Sequence, residues 1–74
     1  MRPLYTIARD ILKDWTKVNY AAKPYLDAMS SLSSINDAFH YDNGKSIVRY
    51  FLSNASTWRG DMAKAIKAEL KAML

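Results

Sequence analysis

Residues 57–74, TWRGDMAKAIKAELKAML, carry the pattern that decides the fold class of this chain. Large apolar residues recur there every three or four positions, as they do along one side of an α-helix. These residues are Trp58, Met62, Ile66, Leu70 and Met73. Lys64, Lys67 and Lys71, called here the lysine stripe, recur at the same spacing on the opposite side. The pattern predicts a final helix, capped by Ser56 or Thr57, with one dry face and one cationic face.

The same periodicity predicts three further helices upstream. The first spans residues 3–15, because Pro3 suits a first helical turn and one apolar face continues to the end of this range. The second spans residues 20–31, and Pro24 either sets its start or kinks it, since proline clashes with a preceding helical turn. The third spans residues 45–54 and is expected to be the most buried.

Two connecting segments are expected between the second and third of these helices. Serine-rich residues 30–34 predict the end of the second helix and the start of a short helical turn. Ser33 or Ser34 is expected to cap this turn, which ends at Phe39. Residues 40–44, HYDNG, predict a loop, because Asn-Gly readily accepts a positive φ.

The predicted fold class is therefore all-α: a compact bundle of four principal helices with a short extra helical turn. The chain has 74 residues, too few for two independent cores, so residues 1–74 are expected to form one domain. That single core should bring Trp15, Phe51 and Leu70 together.

Composition excludes several classes of protein. The chain has no cysteine, which excludes disulfides, thiolate metal sites and thiol redox couples. No stretch approaches the roughly 18 uninterrupted apolar residues of a membrane span, and the N-terminal segment is charged, so we expect a cytoplasmic protein with no membrane partner. Eleven Lys and Arg residues against seven Asp and Glu give a net charge of +4, which suits nucleic acid or an acidic protein surface.

Catalytic machinery is not evident in the sequence. His40 is the only histidine and falls in the expected loop, so a converging acid-base set is hard to assemble. Gly44-Lys45-Ser46 resembles the end of a phosphate-binding loop, but the upstream glycine and strand are missing. Asp37 and Asp42 lack the spacing of a calcium loop. We expect no enzyme activity, no cofactor and no bound metal.

Glu69 is the one acidic residue that the helical period places within the apolar face of the last helix. An unpaired buried carboxylate costs several kcal/mol, so Glu69 needs a partner. Two interpretations are open. Glu69 is a rim residue bridged to Arg49 or Arg59, or it meets a basic group on another chain.

Tyrosine is abundant for a chain of this size, with five residues, and the core cannot hold every ring. Tyr5, Tyr20 and Tyr41 are expected to be exposed. Because tyrosine and arginine are enriched in protein interfaces, we expect stoichiometric binding to a protein partner. The residues assigned to this interface are Tyr20, Tyr41, Arg59 and Glu69.

An alternative function is weak binding to nucleic acid without sequence preference. Three stripe lysines would neutralise about three phosphates. The residues assigned to this alternative are Arg9, Lys13, Lys64, Lys67 and Lys71. A cationic face that only contacts solvent is the simpler interpretation of the same pattern. A third possibility is a homodimer whose shared face completes a small core.

Three segments also carry a resemblance: PYLDAM at residues 24–29, SIVRYFL at residues 46–52 and ASTWRG at residues 55–60. Together they resemble small uncharacterised proteins encoded by phages and other mobile elements of Gram-positive bacteria. The resemblance implies an accessory protein that binds a host or phage macromolecule, as inhibitors of bacterial defence such as anti-CRISPR proteins do. None of these segments is a motif with known chemistry.

Overall fold

A computed structural model of the chain describes residues 2–39 and 42–74. It is mostly helical, with α1 at Leu4–Asp14, α2 at Lys23–Met29, α3 at Gly44–Ser53 and α4 at Asp61–Met73. Two short strands, β1 at Ala38–Phe39 and β2 at Asp42–Asn43, form an antiparallel pair between α2 and α3. The four predicted helices are thus present and the described chain is mostly α-helical, as predicted, whereas the short strand pair was not predicted.

The core is a single cluster to which all four helices contribute. An aromatic group lies within it: the rings of Trp15 and Trp58 stack with centroids 5.7 Å apart, and Phe51 meets both rings edge-on at 6.3 and 6.4 Å. Phe51 and Leu70 are both fully buried. The prediction that Trp15, Phe51 and Leu70 share one core is confirmed.

α1 begins where the backbone of the α2–β1 connection satisfies its free N–H groups. The amides of Leu4 and Tyr5 donate to the carbonyls of Ser33 and Leu32, at 3.1 and 2.9 Å. Because no side chain caps this helix, these two contacts replace a cap and fix the start of α1 against the chain that leaves α2.

The short helical turn expected between Ser33 and Phe39 is not present. The carboxylate of Asp37 instead accepts from the amides of Ser33 and Ser34, at 2.8 and 3.3 Å, and closes a non-helical turn. The chain then enters β1. Asp37 outcompetes helix formation here, because a short acidic side chain readily binds nearby backbone donors.

The Asn43-Gly44 pair forms a helix start and not a positive-φ loop. The side chain of Asn43 accepts from the amide of Ser46 at 2.8 Å, which makes Asn43 the N-cap of α3. Gly44 is buried, and a Cβ at this position would lie 2.6 Å from the carbonyl oxygen of Ser34. Glycine is needed here because two backbone segments approach closely. His40, Tyr41 and the side chain of Phe39 lie outside the described residues.

α4 begins later than predicted. Ser56 and Thr57 lie in a turn, and Gly60, with φ 115°, precedes the first residue of the helix, Asp61. Trp58 therefore packs into the core from the connection and not from the helix. Met62 falls in the first turn and is 47% exposed, so its assignment to the dry face is wrong.

Candidate functional site

The most exposed large apolar side chain of the described residues borders an open cleft. Tyr20 is 93% exposed and lies in the turn that leads into α2. The cleft has a volume of about 310 Å³ and is lined by four residues, which together define the Tyr20 cleft: Tyr20, Lys23, Pro24 and Asp27. Lys23 and Asp27 are one helical turn apart, and neither forms an ion pair within the described part of the chain.

Asn19 fixes the backbone that presents Tyr20. Its side-chain oxygen accepts from the amide of Ala21 at 3.1 Å, and its amide nitrogen donates to the carbonyl of Asn54 at 3.3 Å. The next amides, of Ala22 and Lys23, donate to the Asn19 carbonyl and begin the turn into α2. Tyr20 is therefore an exposed ring on a tethered backbone, which keeps the entropy cost of ordering it on binding low.

The prediction that Tyr5 and Tyr20 are exposed is confirmed, with Tyr5 44% exposed. Tyr41, the third tyrosine predicted to be exposed and a predicted binding residue, lies outside the described residues. Arg59 is exposed, in the connection before α4. Tyr20, Arg59 and Glu69 lie on three different segments, and the structure does not place them around one common cleft.

Glu69 is paired within the chain, with a residue that the sequence analysis did not consider. The guanidinium of Arg2 donates to both carboxylate oxygens of Glu69, at 3.0 and 2.7 Å, and also to Asp10. The predicted bridge to Arg49 or Arg59 is wrong in its partner, although a rim ion pair is present. Hydrogen bonding by Arg2 lowers the pKa of Glu69 below its usual value. The long sequence separation gave no signal by which this partner could be found.

Lys67 is held against Trp58 and is not a freely solvated member of the lysine stripe. Its Nζ donates to the carbonyl of Trp58 at 2.6 Å and lies 5.8 Å from the centroid of that ring. Burial lowers the pKa of Lys67, and the neighbouring charges of Lys71 and Arg59 lower it further. Arg59 lies near the stripe, because it directly follows Trp58, whose carbonyl binds Lys67.

The structure brings Arg59, predicted to bind protein, beside the three lysines predicted to bind nucleic acid. We call these four residues the cationic patch: Arg59, Lys64, Lys67 and Lys71. Arg9 and Lys13 lie on α1, whereas three of the four patch residues lie on α4. α4 turns its Glu69 side toward α1 through the shared contact with Arg2, whereas the helical period places the lysines on other sides of α4. The five cations predicted for nucleic-acid binding thus divide between two surfaces.

Comparison of the chain with known protein families, with curated proteins and with solved structures gives no significant match. None of the helices that the structure describes combines the length and apolar composition needed to cross a membrane. Within residues 2–39 and 42–74, no three His, Cys, Asp or Glu side chains gather as metal ligands do.

Proposed function

We propose that this chain is a small binding protein, built as a compact helical bundle, that associates stoichiometrically with a protein partner through the Tyr20 cleft. The observation that carries the proposal is the 93% exposure of Tyr20 beside a cleft on a tethered backbone. Tyrosine supplies a large contact area with few torsions to immobilise, and such rings commonly anchor interfaces.

The charges around the ring favour a protein over a small ligand. Lys23 and Asp27 have opposite sign and are both exposed. A polypeptide supplies an apolar group for the ring together with an acceptor for Lys23 and a donor for Asp27. The cleft is open and bounded by only four residues, whereas sites for small molecules usually enclose most of the ligand surface.

The proposed biological setting is a phage or another mobile element. The resemblance to small phage and mobile-element proteins favours a phage-borne regulator or inhibitor that acts on a host or defence protein, an anti-CRISPR-like role. A cytoplasmic location fits a chain without cysteine. The proposed activity is binding, with no catalytic step.

Affinity capture with matched tyrosine variants tests the proposal. The wild-type chain and the variants Tyr20→Ala and Tyr5→Ala are immobilised and incubated with extract of the source cells at 300 mM salt. The proteins that each chain retains are quantified by mass spectrometry. We expect one protein to be retained by wild type and by Tyr5→Ala, and depleted at least tenfold on Tyr20→Ala. Retention of the same proteins by all three chains would refute the role of the cleft.

A further inference from the structure

Within the described residues, none of the four side chains of the cationic patch forms an ion pair with a carboxylate. Lys67 is fixed by the carbonyl of Trp58, Arg59 directly follows Trp58 in the chain, and Lys71 lies one helical turn after Lys67. Lys64 lies on the same side of α4, three residues before Lys67. Among residues 2–39 and 42–74, the only ion pairs are those of Arg2 with Asp10 and Glu69, so Asp61, three residues before Lys64, forms no ion pair with it.

Four of the seven acidic side chains take part in contacts within the chain. Asp10 and Glu69 bind Arg2, Asp14 accepts from the indole N–H of Trp58 at 2.8 Å, and Asp37 caps the turn at Ser33. The basic side chains are mostly exposed. The exposed members are Arg9, Lys13, Lys17, Lys23, Arg49, Arg59, Lys64 and Lys71. Eight basic residues are thus exposed against four acidic ones, Asp14, Asp27, Asp42 and Asp61, which leaves the outer surface positive.

We propose that the cationic patch binds the phosphate backbone of double-stranded nucleic acid without reading its sequence. Lys64 and Lys71 are seven residues apart, which is about 10 Å along a helix axis. One strand of a duplex presents a phosphate about every 3.4 Å of axis, so about three phosphates face this length. The inference is independent of the Tyr20 cleft, which lies on other elements.

The surface of the patch distinguishes a duplex from other anionic partners. Trp58, the aromatic residue that Lys67 contacts, is 2% exposed and offers no ring for stacking bases, as single-strand binders require. The patch contains neither Asn nor Gln to read adenine. Protein interfaces depend on large exposed apolar or aromatic anchors. Between Lys67 and Lys71 the only exposed side chain is the single methyl group of Ala68, which is too small to be such an anchor.

Fluorescence anisotropy with a labelled 20-base-pair duplex tests this proposal. The patch variant carries Arg59→Gln, Lys64→Gln and Lys71→Gln, and Lys67 is kept because it holds Trp58. The control variant carries Arg9→Gln, Lys13→Gln and Lys17→Gln, which removes equal charge from exposed residues elsewhere. Circular dichroism confirms that each variant is folded.

We expect wild-type affinity to fall with salt at a logarithmic slope of about −2.7, the value for three phosphates. The patch variant should bind at least tenfold more weakly at 50 mM salt, and the control variant less than threefold more weakly. Equal losses in both variants, or no binding at 25 mM salt, would overturn the proposal. Tighter binding to a single strand of equal length, or equal competition by polyglutamate at equal charge, would assign the patch to another anion and would also overturn it.

Discussion

The guanidinium of Arg2 and the carboxylate of Glu69 form two hydrogen bonds, of 3.0 and 2.7 Å, across 67 positions of the chain. Asp14 and the indole of Trp58 join the other end of α1 to the segment that precedes α4. These two contacts show that α1 and α4 run in opposite directions. The first residues described and the last helix are thus held together by charge as well as by the core.

Replacing Glu69 with Gln should lower the free energy of unfolding at pH 7 by about 0.5–1 kcal/mol, because the ion pair is partly exposed and screened by solvent. Urea unfolding of both chains measures the difference. Arg2→Met combined with Glu69→Gln should cost less than the sum of the single changes, because the two residues interact. Strict additivity would show that the pairing contributes nothing in solution.

The contribution of Glu69 should depend on pH with a definite sign. Arg2 lowers the pKa of folded Glu69, so the stabilisation is complete above the ordinary value of 4.5 and is lost as the pH falls through the lower folded value. The stability difference between wild type and Glu69→Gln should therefore be constant from pH 7 to about 5.5 and shrink in more acidic solution. A difference that grows on acidification would contradict the pairing.

The two glycines should respond to alanine for different reasons. Gly44→Ala places a methyl group 2.6 Å from the Ser34 carbonyl oxygen and 2.8 Å from the Ile35 Cα, both backbone atoms, so we expect a loss of about 1–3 kcal/mol. Gly60→Ala meets no atom but must adopt φ 115°, which costs about 1–3 kcal/mol. Thermal unfolding compares them. Full stability of Gly44→Ala would show that the α3 start is misplaced.

Trp58→Phe should cost about 1–2 kcal/mol, because it removes the indole donor to Asp14 and part of the buried ring. Asp14→Asn retains an oxygen acceptor and should cost less than Asp14→Ala. Urea titration followed by circular dichroism measures all three variants. Equal effects of the two Asp14 variants would mean that the side-chain contact between Asp14 and Trp58 does not stabilise the fold.

Tyr20→Ala should leave the free energy of unfolding within about 0.5 kcal/mol of wild type, since the ring is 93% exposed. Tyr50→Ala should lower the free energy of unfolding more than Tyr20→Ala does, because the Tyr50 ring packs on Tyr25 with centroids 5.3 Å apart. A large loss of stability for Tyr20→Ala would assign that ring to the core and remove it from the binding surface.

The spacing of apolar residues and the helix propensities of the sequence were sufficient to predict the four helices and the core shared by Trp15, Phe51 and Leu70. The errors occurred where a side chain binds nearby backbone groups or where two backbone segments approach closely. Asp37 closes a turn where serines predicted a helix, and Gly44 is fixed by a close contact with Ser34. At the candidate sites, periodicity predicted the lysine stripe and tyrosine content predicted the exposure of Tyr20. Neither could place Arg2 beside Glu69 or Lys67 on Trp58, because such contacts arise only on folding.

Photo-cross-linking from position 20 tests the central claim, the partner-binding role of the Tyr20 cleft, most directly. Tyr20 is replaced by p-benzoylphenylalanine and the chain is irradiated in extract of its source cells, with the same group at Tyr5 as the exposed control. The account predicts one 1:1 adduct from position 20, absent or much weaker from position 5, and suppressed by excess wild-type chain but not by excess Tyr20→Ala. Identical adducts from both positions, or adducts containing only two copies of this chain, would contradict it.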